Sequence, residues 1–176
     1  MHETGPGERL PQAFYSRDVL EVAPELLGKR LIRVWPDGSR SGYTITETEA
    51  YRGEEDRACH ASKGRTSRTE MMYGAGGHLY IYLIYGIHWM MNVVTGEPGH
   101  PQAVLLRGLL ESTGPGRLTR LMGIDRGFNG EDLVSSGRVW IEQGEKSPQY
   151  RTGPRVGIDY AGEPWKDMPW RYLMNL

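Results

Sequence analysis

Residues His78–Val94 read HLYIYLIYGIHWMMNVV. Leu79, Ile81 and Leu83 alternate with Tyr80, Tyr82 and Ile84. A period of two in a run rich in aromatic and β-branched residues specifies a strand. Tyr85-Gly86 breaks the run, and Ile87–Val94 resumes it. The simplest reading is a β-hairpin with Tyr85 at its tip. Tyr80 and Tyr82 then share one face of the sheet. Tyr85 lies off the end, where a large flat side chain is hard to bury. It either packs the loop or serves as a wedge or stacking platform.

The chain has 176 residues, the length of one ordinary domain. A chain of this size buries roughly 70% of its unfolded surface, enough for one real core. Hydrophobic content is 38%, with 24 Gly and 11 Pro, which fits a loop-rich mixed fold better than a helical bundle. No apolar run is long enough to span a bilayer as a helix. The opening MHETGPGERLPQ is polar and lacks a signal-peptide pattern, so residues 1–12 are expected to form a flexible tail. The single cysteine, Cys59, excludes an internal disulfide and suits a reducing cytosol.

A formal net charge of −1 does not announce a nucleic-acid binder, but the distribution is uneven. Arg57–Arg68 carries four basic residues and no acid. Arg107, Arg117, Arg120 and Arg126 form a sparser second group. All but four of the 21 basic residues are Arg, which suits bidentate phosphate contact. Codon bias in a GC-rich genome gives the same excess.

In chain order, Ser16 can cap a helix whose face holds Val19, Leu20, Ala23, Leu26 and Leu27. Pro24 must kink or split it, and Gly28 can end it. Arg30–Trp35 reads as a strand and Pro36-Asp37-Gly38-Ser39 as a turn. Gly42–Tyr51 is the next strand. Simple alternation puts Tyr43, Ile45, Glu47, Glu49 and Tyr51 on one face and Thr44, Thr46, Thr48 and Ala50 on the other. Two carboxylates on one face fit an edge strand with solvated glutamates, or a carboxylate at the rim of a site. Arg52–Gly77 is a long Gly-, Ser- and charge-rich loop, of the kind that is usually functional or disordered. Its Glu54, Glu55, Asp56, Cys59 and His60 match no zinc spacing, so no metal is expected.

Ala103–Leu110 reads as a buried strand interrupted by Arg107. A charge there is costly unless paired. It serves either as half of a structural ion pair or to orient a catalytic carboxylate. Pro115–Met122 reads as a short helix with Arg117 and Arg120 outward, stopped by Gly123. Val139–Glu142 and Pro154–Tyr160 read as short strands, and Trp165–Leu176 as a packed tail. The expected architecture is α+β: one domain over 13–176, with a curved, mainly antiparallel sheet, short peripheral helices and a protruding hairpin.

Four segments together resemble the alkyladenine (3-methyladenine) DNA glycosylase family. They are ETEAYRGEEDRACHASKGRTSR, GGHLYIYLIYGIHWMMNVV, AVLLRGLLE and TGPRVGIDYAGEPW. FYSRDVLEVAPELLGKRLIR and GPGRLTRLMGI are also similar to it, so the resemblance covers about residues 10–172. ETEAY followed by a His, then YxYxxYG and LLR in that order, is a specific combination. The resemblance implies a base-excision-repair glycosylase acting on alkylated or deaminated purines in double-stranded DNA, without cofactor. It implies that Glu49 activates water and that Arg107 helps hold it. It implies that Tyr51, His60 and Tyr82 sandwich and hydrogen-bond a flipped-out base, and that Asn92 restricts which purines fit. It implies that Tyr85 fills the gap left in the duplex. Arg65, Arg68, Arg117 and Arg120 are candidate backbone contacts. A monomer in the bacterial cytoplasm, at the nucleoid and not at a membrane, is expected.

Alternation alone does not choose between Glu47 and Glu49; the resemblance chooses Glu49. The chemistry is consistent with these roles. A base must leave the duplex to be reached, at a cost of a few kcal/mol. Each aromatic stack returns about 1–3 kcal/mol. Cleaving an N-glycosidic bond develops oxocarbenium character, which a carboxylate stabilises while taking a proton from water. Two rival readings use the same residues: an RNA- or tRNA-binding module without catalysis, and a hydrolase of free nucleosides or glycosides. The first makes Glu49 dispensable. The second has little use for Tyr85 or for the basic loop Arg57–Arg68 and predicts salt-insensitive activity.

Overall fold

The computed structural model describes residues 7–144 and 148–176. Two short helices come first, α1 (Gln12–Tyr15) and α2 (Val19–Glu25). Asp18, and not Ser16, caps α2: its carboxylate accepts the Leu20 N–H at 2.8 Å. Ser16 instead ends α1, where its amide and hydroxyl both donate to the Gln12 carbonyl. Pro24 stands one residue from the end of α2. Val19, Val22, Ala23, Leu26 and Leu27 are fully buried, whereas Leu20 is only partly so.

Among the described residues nine strands follow: β1 (Arg30–Val34), β2 (Arg40–Arg52), β3 (Leu79–Ile84), β4 (His88–Thr95), β5 (Gln102–Leu109), β6 (Ser112–Thr113), β7 (Val139–Glu142), β8 (Tyr150–Gly153) and β9 (Arg171–Met174). The third helix, α3 (Pro115–Met122), lies between β6 and β7, and Gly123 ends it in the left-handed conformation. The sheet runs β3-β4-β5-β2-β1-β7, with β6 on β5 and the β8–β9 pair joined to β2 through β9. Every pairing is antiparallel. This is the α+β architecture expected from the sequence.

The two faces of the sheet do different work. Leu79, Ile81, Met91, Val93, Val104, Leu106 and Ala50 point into the main core, where α2 and α3 pack. Their neighbours in sequence, Tyr80, Tyr82, Asn92, Ala103, Leu105, Arg107 and Tyr51, line a cavity on the opposite face. Alternation along β3, β4 and β5 produces this division.

On β2 the alternation fails midway. Its register against β5 shifts between Ile45 and Glu47 and again between Glu47 and Thr48. Such a bulge flips the faces of the strand beyond it. Ile45 therefore shares the core with Ala50, and Glu47, Glu49 and Tyr51 are left on the cavity face without it. Nor is β2 an edge: it pairs with β1, β5 and β9, and Glu49 is fully buried.

Two further expectations change. Pro154–Tyr160 is not a strand. The strand is β8, just before it; Arg155 then turns inward, Gly157 takes φ +72°, and a 3₁₀ turn covers Asp159–Ala161. Of the expected tail, residues 1–6 lie outside the described residues, residues 7–10 run along β7 and Gln12 already opens α1. Leu10 is fully buried, its amide donates to Ile141 O, and Arg9 stacks on Trp140 at 4.2 Å.

Candidate active site

The cavity on the open face of the sheet holds about 510 Å³. Its floor comes from β2 to β5. Tyr80, Asn92, Leu105 and Glu49 fall in one row across four adjacent strands, because Tyr80 pairs with Asn92, Asn92 with Leu105 and Leu105 with Glu49. His60, at the start of the 3₁₀ turn His60–Lys63, lines the cavity, as do Val156 and Tyr160.

Glu49 lies beneath this space, fully buried, with a partner for each oxygen. The Tyr51 hydroxyl donates to Oε1 at 2.9 Å and the Val156 N–H to Oε2 at 2.6 Å. Arg107 Nε stands 3.8 Å from Oε2. Burial pushes the carboxyl above its usual range; Arg107, the Val156 amide and Tyr51 only partly oppose this. Arg107 makes its closer contact, 3.1 Å, with Glu47, and Arg171 holds the same Glu47 oxygen at 2.7 Å. Glu47 is therefore the ion-paired glutamate, and Glu49 is the desolvated one.

Tyr51, His60 and Tyr82 all line the cavity. The His60 and Tyr82 ring centroids are 4.4 Å apart, and Tyr80 packs on Tyr82 at 5.4 Å. His60 Nδ1 pairs with the Tyr80 hydroxyl at 2.9 Å. Burial, helped by Arg68 and Lys63, lowers the His60 pKa to about 4, so the ring is neutral at physiological pH. Asn92 is buried on the floor, where its side-chain N–H donates to Tyr80 O at 3.2 Å.

The hairpin closes as the alternation requires. Ile84 O accepts the Ile87 N–H at 3.1 Å, with Tyr85 at φ +52° and Gly86 at φ +67°. Tyr85 is 88% exposed and Ile87 68%, beside a cavity that Tyr85 also lines. A bulky residue at positive φ, held out in solvent, is uncommon. Arg68 lines the cavity and sits 5.6 Å from the Tyr82 ring. Arg65 stands apart from the cavity lining, paired with Glu70 and stacked on Tyr73. Arg117 and Arg120 are exposed on α3, whose first residue, Pro115, reaches the cavity rim.

The acidic cluster of the long loop disperses. Glu54 accepts the Tyr73 hydroxyl, His60 pairs with Tyr80, and Cys59 is buried with its thiol pushed up to about 12. Asp56 is fully buried against Arg155. Sequence reasoning weighed Asp56 only as a metal ligand and passed over Arg155, Val156 and Arg171. Asp56 sits in a run of acids that looks solvated, and a backbone amide carries no sequence signal. The only hint for Arg155 was a lone cation in an otherwise apolar PRVGI segment.

The profile of the methylpurine-DNA glycosylase family matches residues 13–112 and 111–175. A protein of Methanocella arvoryzae named "Putative 3-methyladenine DNA glycosylase" is 44% identical over 183 residues, covering 93% of this chain and 90% of the relative. Proteins of the same name from Desulfitobacterium hafniense and Anaeromyxobacter dehalogenans are 43% and 48% identical; each aligns with at least 95% of this chain and, respectively, with 96% and 84% of the relative. With the profile spanning nearly the whole chain and relatives this similar from end to end, the chain belongs to the methylpurine-DNA glycosylase family.

Proposed function

We propose that the protein binds duplex DNA, draws an alkylated or deaminated purine into the cavity, and hydrolyses its N-glycosidic bond. The observation that carries this reading is a fully buried carboxylate, Glu49, beneath an aromatic cavity whose mouth bears an exposed tyrosine. In this account Tyr85 enters the duplex and holds the space of the departed base. Tyr51, His60 and Tyr82 grip the base, and their stacking, about 1–3 kcal/mol each, offsets an extrusion cost of a few kcal/mol. Asn92 limits the purines admitted. Arg68, Arg117 and Arg120 face the phosphates, with Arg65 behind them.

Glu49, which prefers its charge neutralised, stabilises the oxocarbenium-like centre and takes a proton from water as that water attacks the sugar. Arg107 holds the water beside it. The carbon–nitrogen bond breaks, the base departs with the bonding pair, and an abasic sugar remains. A cationic alkylated purine leaves readily; a neutral base such as hypoxanthine requires a proton from another route. The enzyme works as a monomer at the nucleoid and does not nick the strand.

Incubating the protein with duplexes carrying 3-methyladenine, 7-methylguanine, hypoxanthine or ethenoadenine, and scoring abasic sites, tests the reading. Release of at least one base is expected. Intact duplexes in every case would overturn it.

A further inference from the structure

One charged pair outside the cavity touches three of its walls. The Arg155 side chain is fully buried and grips Asp56 with both terminal nitrogens, at 2.6 and 3.0 Å. The same guanidinium donates to Ala50 O at 3.0 Å and Trp165 O at 3.3 Å. It lies between two rings, 4.9 Å from Tyr51 and 5.0 Å from Trp170. Asp56 uses its remaining capacity on the Arg52 and Ala58 amides, at 2.9 and 3.0 Å. Burying two charges this deeply is expensive, and apolar packing would serve stability at least as well. What the pair adds is position. Ala50 and Arg52 flank Tyr51. Ala58 leads into the His60 turn. Arg155 precedes Val156, whose amide donates to Glu49 at 2.6 Å.

We propose that Asp56 and Arg155 are positioning residues for base excision: their pair fixes the Val156 amide against Glu49 and sets the Tyr51 ring in the cavity wall. This deepens the proposed activity and rests on it. Glu49 is faced by Arg107 from β5, Tyr51 from its own strand, Tyr82 from β3, Tyr160 from the rim, and Arg155 with the Val156 amide; Glu47 shares Arg107 with it. The Val156 amide and Arg155 both favour the charged carboxylate. Loosening either drives the Glu49 titration to higher pH.

The test is the pH profile of single-turnover excision for Arg155→Lys, Asp56→Asn and Val156→Pro. Val156 is 46% exposed, and proline there removes the donated N–H while keeping both side chains of the ion pair in the sequence. Leu31→Ala, in the core on β1 away from the cavity, is the control for lost stability alone. The acid limb is expected to move up by about one pH unit in the site variants, the scale of one lost hydrogen bond to a carboxylate. In Leu31→Ala it stays put while the melting temperature falls. Duplex affinity should change little in Val156→Pro. An acid limb unmoved in Val156→Pro overturns the proposal whether or not the ion-pair variants fold, as does an unmoved limb in folded Arg155→Lys. If the unaltered protein releases no base from any lesion duplex, the proposed activity fails; if it does and the limbs do not move, only this inference fails.

Discussion

Arg107 stands 3.8 Å from Glu49 yet 3.1 Å from Glu47, which Arg171 holds at the same oxygen. The arginine beside the proposed base is thus mostly engaged with the neighbouring glutamate. Glu49 keeps a pKa above the usual carboxylate range because burial outweighs this divided cation. A base works only when deprotonated, so excision should rise with pH through a limb above about 4.3, the ordinary glutamate value. Arg107→Met removes the largest opposing influence and should carry that limb higher still. Single-turnover rates across pH check both statements, and a limb at or below the ordinary value would count against them.

Stability should carry the same signature with a definite sign. A carboxyl whose folded pKa is raised favours the folded state most below its unfolded pKa. That advantage is lost as pH rises through the folded value. Glu49→Gln cannot ionise, so it should gain on the parent in melting temperature from mildly acidic pH to neutrality. A difference that shrinks over that window would show that Glu49 is not held at a raised pKa.

Tyr85 occupies a left-handed conformation that asparagine tolerates better than a bulky aromatic. Tyr85→Asn should leave stability equal or slightly higher while excision from duplex falls. Loss on single-stranded substrate should be much smaller, since the base there is already unstacked. Equal losses on both substrates would remove the wedge from the account.

Strand nicking by a glycosylase needs an amine that attacks the sugar. Among the described residues, Lys29, Lys63 and Lys166 do not line the cavity; Lys146 lies outside them. Borohydride is therefore expected to trap no protein–DNA adduct. An adduct that disappears in Lys63→Ala would reassign the chemistry.

Much of this was legible in the residues, for identifiable reasons. The hairpin announced itself because alternation in Leu79–Tyr82 serves two environments, a core and a cavity. The bulge hidden in ITETE took Ile45 off the face of the glutamates, since alternation carries no mark of an inserted residue. Glu49 did not separate from Glu47 by pattern, because both share one face and only the distant Arg107 and Arg171 mark Glu47 as the ion-paired one. The helix start moved from Ser16 to Asp18 because both residue types cap well and only the path of the chain chooses. The Asp56–Arg155 pair joins residues 99 positions apart, and no local pattern reports a contact of that range.

The most direct measurement is single-turnover excision by Glu49→Gln on the duplex lesion that the parent protein processes fastest. Glutamine keeps the shape of the side chain and can still bond Tyr51 and the Val156 amide, so fold and duplex affinity should persist. The rate should fall by about two to four decades, the range for loss of a general base. A variant that binds as before and releases the base at a rate near the parent's would contradict the central claim that Glu49 activates the attacking water.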